Sequence, residues 1–301
     1  MRFRATTAFR PTATTFLTSR RRRRLTSRAL VPALLAVAVL LPLLPAGAQM
    51  IPPHPVLRDF EPMGDYVLVI GGAPLPAVKM FRSEKAGAAV LMTGPGLRNA
   101  LLLMPRDKAL QRVDPAKVVV GADGRAFLLA DAQPARESAF TVEGMEVVFT
   151  VEGKPARLKE KPYLLGLHPG KDLLDHDVSY AFRAKQYSPS PALVRALRQA
   201  AQPIRVRVFF GNWCPHCQQM VPRILRLSEA LAGSQVRFEF YGLPSPFDKE
   251  PEAKRMGITG VPTGVVYRGN REVGRIGGGE WSIPELAIKK ILDNSAPKAS
   301  R

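Results

Sequence analysis

Between residues 55 and 170 the apolar positions come in short runs rich in β-branched and aromatic residues. The clearest are Tyr66-Val67-Leu68-Val69-Ile70, Ala100-Leu101-Leu102-Leu103-Met104, Val118-Val119-Val120, Ala126-Phe127-Leu128-Leu129 and Glu146-Val147-Val148-Phe149-Thr150-Val151. Turn formers separate them at Gly71-Gly72, Gly94-Pro95-Gly96, Ala122-Asp123-Gly124, Glu143-Gly144 and Glu152-Gly153-Lys154-Pro155. Short strands punctuated in this way predict a β-rich module, a small antiparallel sandwich or barrel. His168, Asp175, His176 and Asp177 follow it, and without a further spaced ligand they read as a polar turn leading out of the sheet. Residues 171–189 are read as a linker.

From Ser190 the period changes. Leu193, Val194, Leu197 and Ala200 recur at helical spacing over 191–201, and Ile204, Val206, Val208, Phe209 and Phe210 then read as a strand. A long helical pattern runs on to Ala232, and Val236 to Tyr241 reads as another strand. Gly264-Val265-Val266-Tyr267 and Glu272-Val273-Gly274-Arg275-Ile276 read as a hairpin about Arg268 to Arg271, and a last helix is expected from Pro284 to Leu292. Strand and helix patterns thus alternate from Ser190 onward.

The N-terminus reads as an address. Arg20 to Arg24 and Arg28 precede an uncharged apolar run from Ala29 to Pro45, and Ala46-Gly47-Ala48 has the small-x-small form of a signal-peptidase site. Residues 1–48 are therefore expected to be a cleaved signal peptide, with an uncleaved anchor as the alternative; the run of 17 residues, interrupted by Pro32, Pro42 and Pro45, is short for a spanning helix. A periplasmic or otherwise exported product follows, in a compartment where thiols oxidise.

Net charge is +19 over 301 residues, with nine of the arginines in the first 48. Beyond them basic and acidic residues are interleaved, and no aromatic-basic motif for base stacking appears, so nucleic acid is not an expected partner. A weak attraction to anionic membrane surfaces survives.

Two cysteines, Cys214 and Cys217, exclude a disulfide scaffold and an all-cysteine zinc site. They lie three apart in Gly211-Asn212-Trp213-Cys214-Pro215-His216-Cys217, where a strand runs into the start of a helix. A cysteine there meets unpaired backbone N–H groups and the positive end of the helix dipole, which favour its thiolate. Cys214 is thus the candidate nucleophile, and Cys217, one turn along, can resolve a mixed disulfide. His216 adds a donor to the Cys214 sulfur where its ring points that way. The alternative is a copper or zinc module using both thiolates and a histidine.

Residues 190–296 resemble the thioredoxin superfamily. Trp213 precedes the motif, Pro222 stands five residues after Cys217, and Met256-Gly257-Ile258-Thr259-Gly260-Val261-Pro262-Thr263 looks like the loop whose proline is cis in that family. The resemblance implies an α/β thioredoxin-like domain of mixed sheet and flanking helices, thiol-disulfide oxidoreductase activity without a cofactor, and a place for Pro262 and Val261 beside the reactive sulfur. It implies a substrate patch of Trp213, Pro215, Val261 and the Gly277, Gly278 and Gly279 loop. Partners would be exported protein thiols or disulfides and a redox partner protein. Pro215-His216 is the dipeptide of DsbA-like oxidants, although 48 residues from Cys214 to Pro262 leave no room for their helical insertion. An oxidase or isomerase role is expected; a reductase serving cytochrome c maturation is the alternative, weakened by Thr263 where those enzymes carry Glu. Val208 occupies the position six before Cys214 where the family commonly has a buried acid. Glu239 is a distant substitute, its plainer reading an outward-facing strand residue. Arg205 and Arg207 are unexpected in a strand usually buried on both faces, and are read as surface stems with their heads in water.

Overall fold

The computed structural model describes Leu57 and residues 59–295, so the expected signal segment, 1–48, lies outside the described residues. The N-terminal runs become strands β1 (Glu61–Met63), β2 (Tyr66–Ile70), β3 (Ala73–Leu75), β4 (Lys79–Ser83), β5 (Ala89–Thr93), β6 (Ala100–Met104), β7 (Ala109–Val113), β8 (Val118–Val120), β9 (Ala126–Leu128), β10 (Ala135–Glu143), β11 (Glu146–Val151) and β12 (Lys154–Glu160). Ten form one antiparallel sheet in the order β1-β4-β5-β6-β7-β10-β11-β12-β2-β3. Its two edges, β1 and β3, do not pair, so the expected sandwich or barrel is a curled half-barrel.

Side-chain alternation decides its packing. Met80, Met92, Leu101, Leu103 and Leu110 point into the curl, where they meet Leu68, Phe149 and Leu158 from the other end of the sheet. Phe81, Leu91, Leu102 and Val113 point outward, and the β8–β9 ribbon, with Ala126 and Leu128, covers them together with Phe60. Strands β4 to β7 are therefore buried on both faces.

The remaining elements are β13 (Gly166–His168), α1 (Gly170–His176), α2 (Val178–Lys185), α3 (Pro191–Arg198), β14 (Ile204–Phe210), α4 (Pro215–Ala230), β15 (Val236–Gly242), α5 (Pro251–Arg255), β16 (Thr263–Arg268), β17 (Arg271–Gly277) and α6 (Pro284–Asn294). They form a thioredoxin-like domain around a mixed sheet, β13-β15-β14-β16-β17, in which β14 and β15 are parallel and the other pairs antiparallel. Ile204, Val206, Val208 and Phe210 of β14 face a core closed by Leu197, Ile224, Leu227, Trp281 and Ile288. Phe209 faces the opposite core with Val265, Ala253 and Met256.

Three expectations are corrected. The linker over 171–189 is instead helix: Leu173 of α1 and Tyr180 of α2 are buried in the same core as α4. The segment after α2 is pinned as well, because the buried Glu285 carboxylate accepts from the Tyr187 hydroxyl (2.7 Å) and the Ser190 amide (2.8 Å). The polar turn at His168 is an edge strand of the second sheet, with the His168 ring between Asp172 and the Leu165 carbonyl. This domain therefore begins near Gly166 and not at Ser190.

The charged heads of Arg205 and Arg207 do not lie free in water. Arg207 stands opposite Glu239 in the β14–β15 register, donates to it at 2.8 Å and reaches Glu252 of α5 at 3.0 Å. Arg205 stacks 4.2 Å from the Tyr267 ring centre. Strand alternation puts this cluster on the sheet face opposite Val208, so Glu239 is turned away from Cys217.

Helix α2 is also where the half-barrel rests. Gly64 lies so close to Asp177 that a Cβ there would strike its carboxylate, Lys161 Nζ donates to the His176 carbonyl (2.7 Å), and the Arg125 guanidinium lies 5.2 Å from the Phe182 ring centre.

Candidate functional site

Strand β14 ends at Phe210 and α4 begins at Pro215, which leaves Cys214 as the helix N-cap. Proline suits the first helical position because its missing N–H needs no partner there. The Cys214 Sγ then does what a serine or aspartate oxygen does at other N-caps: it accepts from the Cys217 amide, at 3.4 Å. The Cys217 thiol donates to it as well, and the His216 amide faces it. Led by the Cys217 thiol and followed by these amides, the donors overcome burial and lower the Cys214 pKa from 9.0 to about 6. The same pairing works in reverse on Cys217. Its thiol shares its proton with the Cys214 sulfur and is 0% exposed, and both effects hold its pKa well above the ordinary thiol value. One sulfur is poised as a thiolate and the other is held protonated beneath it.

The Val261–Pro262 peptide bond is cis, and the Val261 carbonyl lies 3.8 Å from the Cys214 sulfur. That loop is held from below: the buried Trp281 donates its indole N–H to the Pro262 carbonyl at 3.2 Å, and Gly264 leaves space for the indole that a Cβ would occupy. Pro215 is exposed beside the sulfur. The ring of His216 turns to the Gly278 carbonyl, at 3.3 Å. Its charge lowers the Cys214 pKa less than the Cys217 thiol and the backbone amides do. Gly277 ends β17, and Gly278 opens a 3-10 turn to Ser282. Trp213 faces sideways: its indole donates to the Leu243 carbonyl (2.8 Å) and stacks on Phe247 at 6.3 Å. The structure thus brings Cys214, Cys217, Val261 and Pro262 into one contact group, joins His216 to Gly278 beside it, and sets Trp213 on the flank toward Phe247.

Several residues of this neighbourhood are invisible to motif reading. The buried Asn212 side chain accepts from the Leu164 amide (3.2 Å), and the Asn212 backbone carbonyl accepts from the Gln218 side chain (3.0 Å). Pro222 has no N–H for the Gln218 carbonyl four residues earlier, and Arg183 of α2 supplies the missing donor at 2.9 Å. A proline inside a helix signals one orphan carbonyl; which side chain meets it depends on α2, 35 residues away in sequence.

The thioredoxin family model matches residues 193–291. Thioredoxin M4, a chloroplast protein of Arabidopsis thaliana, is 29% identical over 86 residues, which are 28% of this chain and 40% of that protein. Among solved structures, the short form of thioredoxin F from spinach chloroplast is similar at 25% identity, TM-score 0.26, over 35% of this chain and 90% of its own. Mitochondrial thioredoxin 3 of Saccharomyces cerevisiae, in its oxidized form, is similar at 22% identity, TM-score 0.25, over 36% of this chain and 98% of its own.

Proposed function

Taking residues 193–291 as a thioredoxin-superfamily domain, we propose that the protein is an exported thiol-disulfide oxidoreductase that oxidises or isomerises disulfides in other exported proteins. The observation that carries this is the unequal cysteine pair: a thiolate held at the α4 N-terminus beside the cis Pro262 loop, over a buried, protonated partner. The Cys214 thiolate attacks a sulfur of the target, and Cys217 displaces it from the mixed disulfide. Exchange in the other direction passes through the same intermediate, with Cys217 as the leaving sulfur. Since the helix terminus and the Cys217 thiol stabilise the Cys214 thiolate, they stabilise the reduced state, which makes the disulfide a stronger oxidant.

The metal reading loses support from the orientation of His216 toward Gly278 and from the Cys217 thiol's donation to the Cys214 sulfur. The proposal that the chain is exported rests on residues 1–48. Determining the N-terminus of the protein recovered from its native cell tests it, and an intact Met1 in a soluble cytoplasmic fraction refutes it. The half-barrel is proposed to dock a protein partner. It holds a cleft of about 590 Å³ lined by Leu75, Leu97 and Leu101 with charges of both signs, Arg98 and Lys154 beside Glu137 and Glu152.

The experiment is an equilibrium titration of the Cys214/Cys217 pair together with substrate trapping. A potential above about −270 mV, toward roughly −150 mV, supports the oxidant reading, and one at or below thioredoxin's supports a reductase. Cys217→Ser is expected to accumulate mixed disulfides and Cys214→Ser almost none; equal trapping by the two overturns the assignment.

A further inference from the structure

We propose that the Tyr180 hydroxyl is the hydrogen-bond donor that meets negative charge on the Cys217 sulfur whenever Cys217 enters or leaves a disulfide. The inference rests on the exchange chemistry proposed above and adds to it a residue from outside the motif.

Tyr180 is 1% exposed, yet its hydroxyl has no hydrogen-bond partner. An unpaired buried hydroxyl costs stability, and phenylalanine would fill the same volume without that cost. Of the buried polar atoms left unpaired among the described residues, this one alone belongs to the cluster that contains Cys214 and Cys217. Helix α2 brings it there and is locked to α4 by the Arg183 bond to the Gln218 carbonyl. The charges that act on the hydroxyl are those of Asp177 and Arg183 from its own side of the fold and of the two sulfurs from α4. Burial and the negative charge of Asp177 keep it protonated, so it acts as a donor and not as a base.

Cys217 is the group in want of such a donor. At rest its proton is shared with the Cys214 thiolate. Once Cys214 is tied to a substrate sulfur, that partner is gone, and Cys217 must ionise in a pocket where Val208 offers no polar atom. In the resolving step Cys217 gives up its proton, its sulfur's electron pair forms the Cys214–Cys217 bond, and the bond from Cys214 to the substrate sulfur breaks. The substrate sulfur leaves with that electron pair and takes up a proton through solvent. The substrate disulfide is reduced and the cysteine pair oxidised. Tyr180 donates to the Cys217 sulfur while it carries charge and keeps its own proton throughout. The reverse reaction uses the same donor, because Cys217 is then the departing thiolate.

The test is the reaction of the full, reduced protein with 5,5′-dithiobis(2-nitrobenzoate), followed by release of the coloured thiolate. The first release reports attack by Cys214 and the second reports resolution by Cys217. In Tyr180→Phe the first phase is expected to stay within about twofold of wild type. The second should slow roughly tenfold or more at pH 7, with its pH midpoint moved up, as expected for loss of a hydrogen bond to a charged group. The variant should melt at or above the wild-type temperature, since only an unpaired hydroxyl is lost. If the variant does not fold, 3-fluorotyrosine at position 180, a stronger donor of the same shape, should move the midpoint down. A second phase of unchanged rate and midpoint overturns the role of Tyr180 alone, and so does equal slowing of both phases. Absence of any second phase in the unaltered protein overturns the exchange reading as well.

Discussion

Replacing Cys217 with alanine asks what sets the reactivity of Cys214. The Cys214 thiol lies about three pH units below its ordinary value of 9.0, at about 6, which corresponds to ~4 kcal/mol in favour of the thiolate. The Cys217 thiol is the largest contributor, while the backbone amides of Cys217 and His216 survive the substitution. A hydrogen bond to a charged group accounts for roughly 1.5–3 kcal/mol, so Cys217→Ala should raise the Cys214 pKa by roughly one to two pH units. At pH 7 the thiolate fraction would fall from roughly nine-tenths to between a half and a tenth, and alkylation by iodoacetamide would slow roughly two- to tenfold. His216→Ala should shift the midpoint by less, because the ring points to Gly278. The assay is the alkylation rate from pH 4 to 10, with thiolate ultraviolet absorbance as a second readout. A His216→Ala shift equal to or larger than that of Cys217→Ala would refute the reasoning and return the ring to the sulfur. The sign carries through to stability. A thiol with a folded pKa below its unfolded value stabilises the reduced fold above the unfolded value and loses that contribution as pH falls toward the folded one. The reduced protein should therefore gain stability over its oxidised form as pH rises from about 6 to about 9.

Gly264→Ala would drive a methyl into the Trp281 ring and disturb the indole bond to the Pro262 carbonyl; a loss of about 1–3 kcal/mol in urea denaturation is expected, and an unchanged midpoint would show that the ring has room to move. Asp65 lies beside Asp177 at the foot of the half-barrel, and burial followed by the Asp177 charge raises its pKa above 3.8. Its ionised form is thus disfavoured in the folded state, so Asp65→Asn should stabilise the protein at neutral pH and lose that advantage as pH falls below the unfolded value; equal effects at pH 3 and pH 7 would contradict the burial argument. A fragment spanning 163–295 should give a cooperative melt, whereas one spanning 190–295 should not, because the shorter piece lacks β13, Leu173 and Tyr180; cooperative melting of the shorter fragment would restore Ser190 as the domain boundary.

By itself the sequence determined the parts whose signal is local. Period-two alternation marked β14 and its neighbours, the cysteine spacing at a strand-to-helix junction put Cys214 on an N-cap, and Pro262 stood where the cis bond is found. Strands such as β12, Lys-Pro-Ala-Arg-Leu-Lys-Glu, escaped because only Ala156 and Leu158 turn inward, and β10 is largely exposed, so neither carries the apolar run that local reading needs. Helices α1 and α2 read as a linker for a related reason: each is only about two turns long, and their buried faces are met by distant elements, α2 by α4 and α1 by β13 and β15. What tertiary structure alone decided is which distant groups meet. Arg207 finds Glu239 through strand register, His216 turns from the sulfur to Gly278, the carbonyl freed by Pro222 meets Arg183, and the Tyr180 hydroxyl is buried without a partner in the core that holds both sulfurs. Local spacing fixes φ, ψ and face within one element, but the identity of a neighbour across 30 or more residues is set by how elements pack, where one rotamer or one registry step exchanges one partner for another.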